Sequence, residues 1–98
     1  MIVRIVHMHV RPDAVDRFQA IFEKQKAFIA DFDGCQHVEL LRSEDDPQAF
    51  TTYSHWTGAD ALERYRASHF FRTVWSEVRT LFDERPVARS YQRIHSSQ

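Results

Sequence analysis

Cysteine is nearly absent from this chain. Cys35 is the single thiol in 98 residues, so no disulfide closes within the chain and no thiolate cluster holds a metal. A small apolar residue entering a strand behind Gly34 is its expected role. Charge excess is absent as well, because 13 basic and 14 acidic residues leave a formal net charge of −1. Without a basic footprint, nucleic acid is not an expected partner. No apolar run approaches the length needed to cross a bilayer, and the opening MIVRIVHMHV, interrupted by Arg4, His7 and His9, is too short for a signal peptide. No membrane partner is expected, and the expected compartment is the cytoplasm. Linkers and low-complexity segments are missing too, so residues 1–98 read as one domain.

What the chain does hold is apolar and aromatic mass: 43% hydrophobic residues and 13% aromatics, the composition of a packed globule. A domain of this size buries only roughly 60–65% of the surface its unfolded chain exposes. Association with a second copy is therefore expected to supply further burial.

Periodicity places the elements. Ile2 to Val10 alternates, with Ile2, Arg4, Val6, Met8 and Val10 on one side and Val3, Ile5, His7 and His9 on the other, a strand with two largely apolar faces. Pro12 and Asp13 open a helix from about Ala14 to Asp31, with Asp13 as N-cap and an apolar stripe of Val15, Phe18, Ile21, Phe22, Phe28, Ile29 and Phe32. Asp33 and Gly34 turn into a second strand at Gln36 to Arg42, and after a polar loop Ala49 to Trp56 forms a third. Thr57 and Asp60 resemble a capping box for a short helix over 58–66, and Ser68 caps the next. That last helix carries Phe70, Phe71, Val74, Trp75, Val78, Leu81 and Phe82 and is stopped by Pro86. Val87 to Ile94 is a weaker final strand with Tyr91 and Ile94 as its large apolar members, followed by a polar tail at Ser96 to Gln98.

Strand, helix, strand, strand, helix, strand is the ferredoxin-like βαββαβ order of an α+β fold with an antiparallel sheet. The first strand is then central, beside the third and fourth. Helices cover one face of such a sheet only, so the apolar residues of the other face call for a partner, and a two-fold homodimer packed sheet to sheet is the expected answer.

In order and spacing, MIVRIVHMHVRP, DGCQHVELLRSEDDP, TYSHWTGADALERYRASHFFRTVWSEV and RPVARSY resemble the antibiotic biosynthesis monooxygenase domain. This family of dimeric α+β barrels includes small quinol monooxygenases. The resemblance covers nearly the whole chain and rests on the Cys-Gln-His-Val-Glu strand, the strand ending at Trp56 and the helix opening Ser68-His69-Phe70. It implies oxygenation of a small aromatic such as a quinol, without metal or flavin. A related branch degrades haem; there Trp56 matches a conserved strand-end Trp and His7 falls at an Asn position. Trp75 stands where the axial His would be, and an indole cannot ligate iron, which argues against haem chemistry and leaves His69, one to two turns earlier, as the substitute ligand it would need.

Beside that resemblance, His69 at a helix start sits where the positive end of the dipole favours neutral imidazole, making it the expected base, with His7 an alternative or partner. Trp56, Trp75, Phe22, Tyr65 and Phe71 are the expected walls for a planar ring. Trp56 is expected at the rim, its N–H seeking a polar partner, and Arg66 and Arg72 near the helix break could attract an anion. His7, His9 and His55 could share a sheet face, but with no carboxylate evident nearby they read as hydrogen-bonded or solvated histidines, and no metal is expected. The rival readings are a non-catalytic binding or dimerisation module and an isomerase or lyase of the same barrel type.

Overall fold

The computed structural model describes residues 1–97; Gln98, the last residue of the expected polar tail, lies outside them. The elements run β1 (Ile2–His9), α1 (Val15–Ala30), β2 (Cys35–Arg42), β3 (Ala49–Trp56), α2 (Ala59–Arg66), α3 (His69–Val78) and β4 (Val87–Gln92). Single 3₁₀ turns at Pro12–Ala14 and Arg79–Leu81 lead into α1 and out of α3. The four strands form one antiparallel sheet in the order β2-β3-β1-β4, which is the expected ferredoxin-like α+β topology.

Several local expectations are corrected. Pro12 begins a tight 3₁₀ turn, so α1 starts at Val15 without a side-chain cap, and Asp13 pairs with Arg11 Nε at 3.3 Å instead. Gly58 takes the N-cap position of α2, and Thr57 makes no capping bond. Ser68 does cap α3, accepting from the Phe71 N–H at 3.1 Å, while its hydroxyl donates to the Tyr65 carbonyl at 2.6 Å. One serine thereby ties the end of α2 to the start of α3 and sets the angle between them. α3 tightens into the 3₁₀ turn and is extended by Phe82, before Pro86. β4 ends at Gln92, which leaves Ile94 89% exposed. Phe28, expected on the sheet-facing stripe, is instead 55% exposed and stacks on Phe70 at 4.1 Å, joining α1 to α3 across the surface.

Register decides what lies under the helices. The covered face carries Ile2, Arg4, Val6 and Met8 of β1 opposite Trp56, Ser54, Thr52 and Phe50 of β3. Val38 and Leu40 extend its middle rows on one side, and Ala88 and Ser90 on the other. Large rings thus stand at the two ends of the face, Phe50 at one and Trp56 at the other, with short side chains between. The core divides accordingly. One cluster gathers Met8, Val10, Ala14, Phe18, Phe50, Val78 and Leu81, with the Phe18 and Phe50 rings 4.8 Å apart. The other gathers Trp56, Ala61 and Leu62, with Phe32, Cys35 and Tyr65 packed against it. Between them the short residues of the sheet leave a hollow.

Candidate active site

That hollow is a cavity of about 260 Å³ bounded by both core clusters. Its floor is Val6, Val38, Thr52, Ser54 and Ala88 of the sheet; its walls are Phe22, Gln25 and Ile29 of α1 and Phe71, Val74 and Trp75 of α3. Leu62, Tyr65 and Arg66 of α2 close one end beside Trp56 and Arg4. All five expected wall residues, Trp56, Trp75, Phe22, Tyr65 and Phe71, line it.

Four of these rings form a continuous panel. Trp56 and Tyr65 lie 4.8 Å apart, Tyr65 meets Phe71 edge to face at 5.1 Å, and Phe71 runs parallel to Trp75 at 5.8 Å. The Ser68 hinge builds this panel, because it fixes Tyr65 at the end of one helix against Phe71 at the start of the next. Offset and edge contacts of this kind are the geometry that aromatic quadrupoles prefer, and they hold the rings in place along the cavity wall.

Trp56 is not at a rim. It is 1% exposed, because Phe32, Ala61, Leu62 and Tyr65 pack over it, and its N–H donates to Ser54 Oγ at 3.0 Å inside the fold. Tyr65 is buried enough that desolvation, with a smaller push from Cys35, holds its hydroxyl well above the usual phenol range. It therefore stays a neutral phenol and a proton donor throughout the physiological range.

Neither expected base lines the cavity. His7 belongs to the opposite sheet face, where its Nδ1 lies 2.9 Å from Thr51 Oγ1. His69 is exposed at the start of α3 on the helix side of Thr73, 3.4 Å from its hydroxyl, while Phe71, Val74, Trp75 and Val78 take the inner side. The polar residues that do line the cavity are Arg4, Gln25, Thr52, Ser54, Tyr65 and Arg66, with no histidine, carboxylate or lysine among them. Arg4 was not among the expected site residues. Its signal was present, a lone arginine in the otherwise apolar set Ile2, Val6, Met8 and Val10 of one strand face. Arg72 is exposed and does not line the cavity.

The three histidines expected to share a sheet face do lie on its open side, where His37 joins them as the register partner of His55, but their surroundings diverge. His55 Nε2 lies 3.2 Å from Arg93, whereas His9 is held on both nitrogens, Nδ1 at 2.6 Å from Asp83 and Nε2 at 2.8 Å from Asp46. Carboxylates not evident from strand spacing are thus brought to His9 by two loops. His9, Asp83 and Glu84 offer three ligand-type atoms within 4.8 Å of one another. With both ring nitrogens hydrogen-bonded, the imidazolium itself is the cation this arrangement holds. The hydrogen bonds to Asp83 and then Asp46 raise the His9 pKa from 6.5 to about 9. Asp46 is lowered, first by the Gln48 backbone N–H and then by His9.

A group whose folded pKa is raised contributes stability that is fully present below its unfolded value and lost as pH rises through the folded one. The network is expected to stabilise the fold below pH 6.5 and to lose its contribution approaching pH 9. Chemical melts of the wild type across that window should show a decline absent from His9→Gln; parallel profiles would exclude the network as the cause.

The family model for antibiotic biosynthesis monooxygenases matches residues 1–75. No curated protein matches this sequence significantly. Solved structures superpose over almost the entire chain. A Bordetella bronchiseptica protein named for the same family is 26% identical, with a TM-score of 0.84 over 96% of this chain and 97% of that one. An engineered variant of SnoaB, a cofactor-independent oxygenase from Streptomyces nogalater, is 22% identical with a TM-score of 0.88 over 98% and 95%. A Nitrosomonas europaea protein of the same description is 20% identical with a TM-score of 0.89 over 97% and 100%. Among the described residues no helix is long and apolar enough to cross a membrane.

Proposed function

Because this chain belongs to the antibiotic biosynthesis monooxygenase family, we propose that it oxygenates a small planar aromatic such as a quinol inside the cavity between sheet and helices. The observation that carries this reading is the cavity itself, a hollow of about 260 Å³ faced by the panel Trp56, Tyr65, Phe71 and Trp75. Apolar walls with a few convergent polar groups are what a small aromatic substrate requires.

The chemistry asks little more of the protein. An aromatic oxyanion passes one electron to dioxygen, and the substrate radical and superoxide then combine to form a C–O bond. Loss of water gives a product with one added oxygen and two fewer hydrogens. The substrate supplies all four electrons; one oxygen atom stays in the product and the other leaves as water. For a hydroquinone the product is the hydroxyquinone. The walls orient the ring and exclude bulk water, which protects the radical pair.

Ionisation of the substrate is the step that needs a protein group. His69 and His7 were the expected bases, and both stand outside the cavity. In this reading the cationic end of the cavity, with Arg4 and Arg66, favours the ionised substrate. Aerobic and anaerobic incubation with hydroquinones, naphthols and anthrones, followed by oxygen uptake and product mass, tests the proposal. Expected are oxygen-dependent products heavier by one oxygen, less two hydrogens, and retained turnover in His69→Ala and His7→Ala. Loss of turnover in a folded His69→Ala would return the base to that residue. Anaerobic conversion would indicate an isomerase or lyase, and no turnover a binding module.

The homodimer belongs to the same proposal. On the sheet face that the helices leave open, Leu41, Val87 and Tyr91 are 47%, 44% and 46% exposed, the apolar surface expected to meet a second copy. Sedimentation equilibrium tests it, and a monomer at micromolar concentration would remove it.

A further inference from the structure

Arg4 and Arg66 come from distant parts of the chain, one from the middle of β1 and one from the last position of α2, and both line the same cavity. Arg4 is partly buried. Its Nη1 donates to Ser90 Oγ at 2.9 Å, and among the described residues it has no carboxylate within ion-pair distance. Arg66 has one, Glu63, with 3.6 Å between Nη1 and Oε2 in an exposed pair one helical turn apart. Such surface pairs are weak. Two guanidiniums thus share one end of the cavity with a single, loosely held carboxylate.

The electrostatics agree with that geometry. Arg4 is held below the usual guanidinium range first by burial and then by the charge of Arg66, and Glu63 offsets only part of this. A partly buried cation that also feels the charge of a second one is stabilised by an anion placed between them. Each guanidinium offers several N–H donors in a fixed plane, suited to two oxygens of one carboxylate or to a single phenolate oxygen. Among the described residues no Asp or Glu lines the cavity, so Glu63, outside it, is the carboxylate an incoming anion would displace from Arg66.

We propose that Arg4 and Arg66 form an oxyanion-binding end of the cavity, so that its ligand is a planar aromatic carrying a carboxylate or phenolate, with the ring against the Trp56–Trp75 panel. This rests on the reading of the cavity as an aromatic-binding site and specifies which aromatics it takes. The two arginines select charge; the rings select flatness. Neutral aromatics of the same shape fill the walls but leave the cationic end unpaired.

Anaerobic calorimetry tests this without turnover, using 2-naphthoate, its neutral isostere 2-naphthalenemethanol, and 4-nitrophenol, whose ionisation is visible by colour. Naphthoate should bind roughly 10- to 100-fold more tightly than the alcohol, the span supplied by one or two charge-assisted hydrogen bonds. Added salt should weaken naphthoate alone. Arg66→Gln, at an exposed position, should shrink the ratio, and Arg4→Gln should bring it close to one while the alcohol binds as before. Arg4→Lys, which keeps the charge, should retain part of the preference and guards against misfolding of Arg4→Gln. A nitrophenol drawn into its coloured form on binding identifies phenolate capture, and a naphthoate preference without that shift identifies carboxylate capture.

Equal affinity for naphthoate and the alcohol, or a preference untouched by both arginine substitutions, would overturn this inference and leave the aromatic cavity standing. If neither ligand binds, the aromatic reading falls with it.

Discussion

Trp56→Ala is expected to cost the fold about 3–5 kcal/mol, the range for deleting a fully buried aromatic. A small domain has a total stability of only about 5–15 kcal/mol, so this loss takes a large share of it and should bring the unfolding midpoint to a much lower denaturant concentration. Trp56 is 1% exposed and anchors the second core cluster, with the ring centres of Tyr65 at 4.8 Å and of Phe32, set edge to face, at 6.4 Å. Its removal would merge the space of the indole with the existing cavity and leave the surrounding side chains without partners on that side. Ser54 Oγ would also lose the N–H it accepts. Trp56→Phe keeps most of the volume and should cost much less. Urea melts of the three proteins provide the check; a loss below about 1 kcal/mol for Trp56→Ala would show that the cluster is held by other contacts.

Gly34→Ala should be nearly as damaging, although it adds a single methyl group. Gly34 has a φ of +91°, and a Cβ built there would sit 2.4 Å from the Ala61 Cβ and 3.1 Å from Thr57 Oγ1. The left-handed backbone costs an L-residue roughly 1–2 kcal/mol, and forced overpacking adds roughly 1–3. The sum, about 2–5 kcal/mol, corresponds to a drop in Tm of the order of 10–30 °C for a domain of this size. The position cannot relax easily, because the Gly34 carbonyl accepts from the Thr57 N–H at 2.8 Å and thereby pins the start of β2 to the end of β3. Gly58 is the internal control. Its backbone is extended and a Cβ there meets nothing within 4 Å, so Gly58→Ala should stay within about 1 kcal/mol. The double variant Gly34→Ala with Ala61→Gly removes the contact and leaves the backbone strain. A coupling energy of zero in that cycle would mean that the approach of Ala61 is not what excludes the methyl.

Local patterns legible in the sequence reached further than the fold. The two-residue alternation of β1 and β3 placed Arg4, Val6 and Met8 on one face with Phe50, Thr52, Ser54 and Trp56 on another single face, and register brought these two sets together. Large, short, short, large along β3 is the profile of a hollow between two packed ends. That pattern was there to be read, and it marks the cavity as clearly as the aromatic helix does. The rings of the wall were legible for the same reason, since Phe71 and Trp75 share one side of a helix by its 3.6-residue period. Capping was legible only where no backbone constraint intervened: Ser68 caps α3, but Pro12 and Gly58 displaced the roles expected of Asp13 and Thr57.

The limits of such patterns appear at His7, His69 and Arg4. Alternation separates His7 from Arg4 but does not say which of the two faces the helices cover, because both carry apolar residues. Packing decided that, and it put the cavity on the arginine side. His69 lies at the helix start where a base was expected, yet the face that α3 turns inward is chosen by its whole apolar stripe, and His69 is not on it. Arg4 and Arg66 line one cavity only because β1 and α2 both border the hollow. Backbone geometry determines periodicity, capping and strand parity from neighbouring residues alone, so the sequence by itself determined the elements, their order and the placing of Phe71 and Trp75 on one side of a helix. Which face is buried, which loops reach His9 and which two cations share a cavity depend on contacts between residues far apart in the chain, and those only the tertiary structure decided.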